Sequence, residues 1–141
     1  MGKRFACHRI SKGQAQARAV VSGDKLCFYQ VEPESGIVME RAHTLEGKKI
    51  SKSVLIFPGG KGSSVVQADG LYQLNMHGNM PSAMIIQYPE PVLVSSAIIM
   101  EIPMVDRVEA AFYDTVRSGD LILVNADEGY LELFPELAPS V

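Results

Sequence analysis

From Gln14 the chain alternates polar and apolar residues, Gln-Ala-Gln-Ala-Arg-Ala, before the apolar pair Val20-Val21 and Ser22. A period of two marks a strand with one buried face. Gly23-Asp24 then predicts a turn, and Lys25 to Tyr29 a short strand. Glu32 to Gly36 reads as a loop, Ile37 to Met39 as a brief extension, and Thr44 to Lys49 as a polar connection. The unbroken apolar run Val54-Leu-Ile-Phe57 predicts a strand buried on both faces.

Beyond Ser63 and Ser64 the period lengthens. Val65, Ala68, Tyr72 and Met76 recur at helical spacing with Leu71 beside them, and Gly78 followed by Pro81 ends the helix. Gly70 inside it costs about 1 kcal/mol against alanine, which suggests a close packing contact. Ala83 to Gln87 predicts a buried strand, Pro91 or Val92 to Met100 a second helix, and Ile102 to Val105 another strand. Ala110 to Val116 is a third helix. Gly119 to Asn125 and Gly129 to Phe134 form a closing hairpin, with Asp127-Glu128 as its turn signal. The order is β-rich, then β-α-β-α-β, then β-rich again. It predicts an α/β fold in three layers, β/β/α, as a single domain over residues 1–141.

Composition narrows the function. A net charge of −3 with scattered basic residues argues against a nucleic-acid surface. No apolar run approaches the roughly 20 residues of a membrane span, and Met-Gly-Lys-Arg-Phe at the start lacks a secretory h-region, so a cytoplasmic protein is expected. Cys7 and Cys27 are the only cysteines and form no C-x-x-C pair. Cys7-His8 reads as a small buried thiol beside a surface histidine. Two thiolates fall short of the three or four that hold an iron–sulfur cluster, so no metal site is expected here and any cluster belongs to another chain.

The densest chemistry lies in Phe57-Pro-Gly-Gly-Lys-Gly-Ser-Ser64. A strand, a glycine-rich turn and a helix start together present N–H groups and a helix dipole to an anion. The P-loop pattern is absent because Gly62 follows Lys61, and the dinucleotide fingerprint fails because Val65 replaces its third glycine. Gly60 and Gly62 would leave room for a ligand at the backbone. Lys61 either binds an anionic substrate group or is a solvated turn residue. Ser63 reads as an ordinary cap or as a reactive hydroxyl, with Ser64 the better placed of the two for capping. His43 is expected to order its loop by hydrogen bonding, and His77 to meet the last carbonyls of its helix. Met76, Met80, Met84, Met100 and Met104 read as core filling.

The run Val54 to Ser64 resembles the signature of the aconitase X swivel domain family. Arg9-Ile-Ser-Lys-Gly13, Pro33-Glu-Ser-Gly36, His43 before Leu45 and Gly47, Glu90-Pro91, Ile102-Pro103 and Gly119-Asp120 extend the likeness over nearly the whole chain. The resemblance implies a swivelling domain that acts as the small subunit of a heteromeric hydro-lyase. It implies dehydration of (R)-5-phosphomevalonate to trans-anhydromevalonate 5-phosphate in an archaeal mevalonate pathway. Ser63 would be the proton acceptor, with Gly60, Lys61, Gly62 and Ser64 near the substrate. A large aconitase-like subunit would carry an iron–sulfur cluster of the four-iron, four-sulfur type. Alternatives are the small subunit of a hydroxyproline dehydratase of the same family, or a non-catalytic anion-binding module.

Overall fold

Only Cys7 separates the first strand, β1 (Lys3–Ala6), from the second, β2 (His8–Ser11), yet the two form opposite edges of one eight-stranded sheet. The sheet must therefore curl until its edges meet. The structure, a computed structural model, describes residues 2–135. The remaining strands are β3 (Gln14–Val21), β4 (Val54–Phe57), β5 (Ala83–Ile86), β6 (Met104–Asp106), β7 (Leu121–Asn125) and β8 (Tyr130–Phe134). Three helices join them: α1 (Ser64–Met76), α2 (Pro91–Ile99) and α3 (Ala110–Thr115). The strand order is β1-β8-β7-β3-β4-β5-β6-β2.

The bend lies in β3. Gln14 to Arg18 pair antiparallel with β7, whereas Ala19 to Val21 pair parallel with β4. Strands β4, β5 and β6 continue in parallel, and β2 closes that half antiparallel to β6. Successive residues of β4 and β5 point to opposite faces, as strand geometry requires. Val54, Ile56, Ala83 and Ile85 meet Phe5, Ile122, Val124, Leu131 and Leu133 from the other half of the sheet, while Phe112 of α3 joins the same core. Leu55, Phe57, Met84 and Ile86 instead face Leu71 and Leu74 of α1 and Leu93 and Ala97 of α2. Two β layers and one α layer result, the predicted β/β/α arrangement. Among the described residues no helix is long and apolar enough to cross a membrane.

Three expectations need correction. The strand expected over residues 25–29 does not form: Leu26 makes one bridge to Gly60, and Phe28–Gln30 coils as a 3-10 turn. Phe28 is fully buried there, and its backbone seats against Gly70 of α1. Strands β1 and β2 were not foreseen from the sequence, because their exposed positions carry the charged residues that blunt sheet edges. The apolar stripe on α1 faces outward. Gln67, Gly70, Leu71 and Leu74 are buried, while Val65, Tyr72 and Met76 stay 79%, 52% and 65% exposed. Gly70 decides this rotation, since only a residue without a Cβ fits against the Phe28–Tyr29 backbone. Met76 therefore fills no core, unlike Met80, Met84 and Met104.

Candidate active site

After β4 the chain runs beside Leu26. The Leu26 N–H donates to the Gly59 carbonyl at 2.9 Å, and the Lys61 N–H donates to the Leu26 carbonyl at 3.1 Å. A Cβ on Gly60 would lie 2.2 Å from Gln67 Oε1 and 2.8 Å from Leu93 Cδ1. The bare Cα of Gly60 thus serves internal packing, contrary to the expectation that it clears a path for a ligand. Gly62 is needed for its conformation, φ +105°, which swings the chain into the helix.

Ser63, not Ser64, caps α1. Its backbone is extended (φ −68°, ψ 161°) and its Oγ accepts from the Val66 N–H at 3.3 Å. Ser64 is the first helical residue. Both serines are exposed. The first turn of α1 holds no acidic side chain, so no carboxylate in that turn offsets the positive end of the dipole beside Ser63.

Lys61 is not a free cation. Its Nζ forms an ion pair with Glu40 Oε2. That hydrogen bond raises the lysine pKa, with further help from the Glu40 and Asp24 charges, so the ammonium persists at any physiological pH. Asp24 is in turn held below the usual carboxylate range, chiefly by the Thr44 hydroxyl and then by the Thr44 N–H, both of which donate to Oδ2. His43 plays the ordering role expected of it. Its Nε2 donates to the Lys25 carbonyl at 2.9 Å, and its Nδ1 accepts from the Leu45 N–H at 2.9 Å, which describes a neutral ring. His77 likewise meets the Gln73 carbonyl at the end of α1.

Beneath the loop, Gln67 is only 4% exposed; its Nε2 donates to the Gly62 carbonyl at 3.1 Å. Glu40, Gln67, Asp24 and Thr44 escaped the sequence reading. Glu40 and Asp24 approach Lys61 only through folding, and no spacing along the chain announces it.

The surface around the loop is apolar. Of the eight large apolar side chains exposed among the described residues, six surround the loop or line α1. Tyr88 adjoins Gly59, Met39 precedes the Glu40 that holds Lys61, and Tyr29 adjoins Gly70, while Val65, Tyr72 and Met76 follow the helix. A groove of about 380 Å³ runs between Tyr29, Val31 and Pro33 on one side and Asp69, Gly70 and Gln73 on the other. A cavity of about 510 Å³ lies between β3 and Lys48-Lys49; of the site residues only Thr44 lines it, and no residue of the Gly59–Ser64 loop does.

The family model of the aconitase X swivel domain matches residues 4–133. The chain belongs to the aconitase X swivel domain family. A relative from Methanosarcina acetivorans, the phosphomevalonate dehydratase small subunit, is 44% identical over 125 residues, covering 88% of this chain and 86% of that one. The subunit of the same name from Methanocella arvoryzae is 45% identical over 127 residues, covering 89% and 96%. The holo-form crystal structure of Thermococcus kodakaraensis aconitase X superposes with a TM-score of 0.85 at 34% identity, covering 94% of this chain and 99% of that chain.

Among the described residues of this aconitase X swivel domain, no group of three or more His, Cys, Asp or Glu side chains is placed to hold a metal ion. Its two thiols also lie apart: Cys7 packs against the core between the β layers, whereas Cys27 is buried under Gly62. They do not fit an iron–sulfur cluster.

Proposed function

We propose that this chain is the small subunit of a dehydratase that converts (R)-5-phosphomevalonate to trans-anhydromevalonate 5-phosphate, with Ser63 as the proton acceptor. The site is shared with a large aconitase-like subunit, to which the iron–sulfur cluster belongs on this reading. The observation that carries the proposal is the setting of Ser63. An exposed hydroxyl stands at the positive end of a 13-residue helix whose outer side carries the exposed Val65, Tyr72 and Met76. Tyr88, also exposed, adjoins Gly59 of the loop, and these side chains form an apolar rim on one side of the site.

Capping and base chemistry use the same contact. A serine hydroxyl is a poor base until its alkoxide is stabilised. The Val66 N–H already donates to Ser63 Oγ, and such a bond strengthens as the oxygen becomes negative. The helix dipole adds in the same sense. A partner seated on the apolar rim would exclude water and deepen both effects. Dehydration breaks a C–H bond and the neighbouring C–O bond, forms a C=C bond and releases water. This chain's part is to receive the C–H proton on Oγ as the alkoxide, its hydroxyl proton having first passed to solvent. The substrate hydroxyl leaves as water with a proton from solvent. The first-turn amide of Ser64 has no intrahelical acceptor and faces the same end of the helix. With Lys61 and the backbone of Gly60 and Gly62, it forms the proposed substrate-facing set.

The names of the relatives favour phosphomevalonate over hydroxyproline as substrate. The decisive test uses Ser63→Asn and Ser63→Ala in the assembled enzyme. Asparagine caps as well as serine but accepts no proton, so both variants should lose about 10²–10⁴-fold in kcat, and only alanine should also lower stability. Near-normal turnover by Ser63→Asn would make Ser63 a cap and nothing more.

A further inference from the structure

Two side-chain oxygens among the described residues are buried without a hydrogen-bond partner, Glu40 Oε1 and Gln67 Oε1. Both belong to side chains that grip the loop directly before Ser63. Glu40 Oε2 holds the Lys61 ammonium, and Gln67 Nε2 holds the Gly62 carbonyl. An unpaired buried acceptor is a standing cost to the fold, and an apolar residue of similar shape would avoid it. Two such costs flanking one exposed loop suggest a requirement other than stability. Strained or unsatisfied groups of this kind gather where geometry serves function.

The geometry points to Glu40 and Gln67 as the positioning residues of the Ser63 loop, clamping residues 61 and 62 so that the hydroxyl is presented in one orientation. This rests on the reading of Ser63 as proton acceptor. Gln67 works from below. It sits one turn into α1, and its own N–H donates to the Ser63 carbonyl at 2.9 Å. One residue thus holds the backbone on both sides of the Ser63 Cα, through the Gly62 carbonyl with its side chain and the Ser63 carbonyl with its main chain. That arrangement keeps Gly62 at its positive φ. Glu40 works from the side. It comes from the loop after Val38 and neutralises Lys61, whose ammonium would otherwise be free to move with the turn. The clamp also sets a charge. Lys61 already faces Glu40 and lies near Asp24, so the three groups together carry one net negative charge. A doubly charged phosphate gains little there. The phosphate end of the substrate is therefore assigned to the partner, and the reacting end to this loop.

The test pairs a dynamic readout on the free chain with kinetics of the assembled enzyme. Gln67→Met removes the clamp and the unpaired oxygen together while keeping the volume. Amide exchange at residues 62–66 should then quicken at least tenfold, with the melting temperature unchanged or higher. In the assembled enzyme kcat should fall about 10–100-fold with KM little altered, the signature of lost orientation. A residue needed only for stability would instead lower the melting temperature and leave kcat near normal. Glu40→Gln should also lower kcat. The double variant Glu40→Gln/Lys61→Met should be no worse than Lys61→Met alone, because Glu40 acts through Lys61. Unchanged exchange in Gln67→Met overturns the clamp whatever Ser63 does. Faster exchange with undiminished kcat overturns it if Ser63→Asn is inactive; if Ser63→Asn is active, the base assignment fails instead.

Discussion

Gly70 of α1 sits so close to the backbone nitrogen of Tyr29 that a Cβ at residue 70 would fall 2.4 Å from it. The Phe28 carbonyl carbon is scarcely farther, at 2.5 Å. These are main-chain atoms, so no side-chain rotation relieves the contact. Alanine would gain about 1 kcal/mol of helix propensity, but forced overpacking costs typically about 1–3 kcal/mol and more where backbone must move. Gly70→Ala should therefore lower stability in urea unfolding. It should also disturb the outward stripe of α1, because this contact sets the rotation of the helix.

The two serines should separate cleanly in the free chain. Ser63→Ala removes the acceptor of the Val66 N–H and should cost about 1 kcal/mol. Ser64→Ala occupies the first helical position, exposed, and should stay within about 0.5 kcal/mol of the parent. Thermal or urea denaturation of both variants decides it. A larger loss at residue 64 would return the cap to Ser64.

The apolar rim should behave as a docking surface. Val65→Lys and Tyr72→Glu touch no core and should leave the melting temperature of the free chain almost unchanged. They should nonetheless weaken assembly with the large subunit at least tenfold, roughly 1.4 kcal/mol, as expected of central contacts. Ile99 is equally exposed but lies outside the rim, so Ile99→Lys serves as the control with normal assembly. Equal loss from all three variants would mean that charge, not location, is responsible.

Alkaline pH should destabilise the fold through Cys7. Burial first, and the Asp106 carboxylate second, push its thiol up to about 11 from an ordinary 9.0. Burial, Asp106 and Cys7 likewise push Tyr113 up to about 12. Both groups are neutral in the fold and ionise more readily when unfolded, so the native state binds more protons at high pH. Their contribution is complete below the unfolded values and is lost as pH rises toward 11 and 12. Urea midpoints should fall between pH 9 and 11, less steeply in Cys7→Ser. Alkylation of Cys7 at pH 8 should be slow. A flat midpoint across that range would contradict the sign.

Where one local pattern decided the structure, the sequence sufficed. The run Val54–Phe57 is buried throughout, and the Asp127-Glu128 turn forms with the Glu128 N–H on Asn125 Oδ1. Pro91 starts α2 behind the Glu90 cap. Where two patterns competed, it did not. Helix α1 is apolar on both sides, so periodicity could not tell Leu71 and Leu74, which are buried, from Val65 and Tyr72, which are not. The contact that chooses, Gly70 on Phe28, joins residues more than forty apart. The candidate site divides in the same way. Its loop stood out through composition, whereas Glu40 and Lys61 stand 21 positions apart, with an irregular segment and then β4 between them. The choice between the two serines depended on one hydrogen bond.

The partners of β1 and of the first half of β3 all lie in the last described hairpin, β7 and β8. During synthesis these early strands must wait, unpaired, for about a hundred residues to emerge, the kind of long-range pairing that slows folding. The contiguous stretch from β4 to β6 can close its helical layer first. A ribosome-bound chain halted before Leu121 would thus offer Phe5, Ala19 and the inner face of β4 to chaperones. Delivery of the final hairpin, rather than of the glycine-rich loop before α1, is then the moment at which the nascent protein withdraws from them.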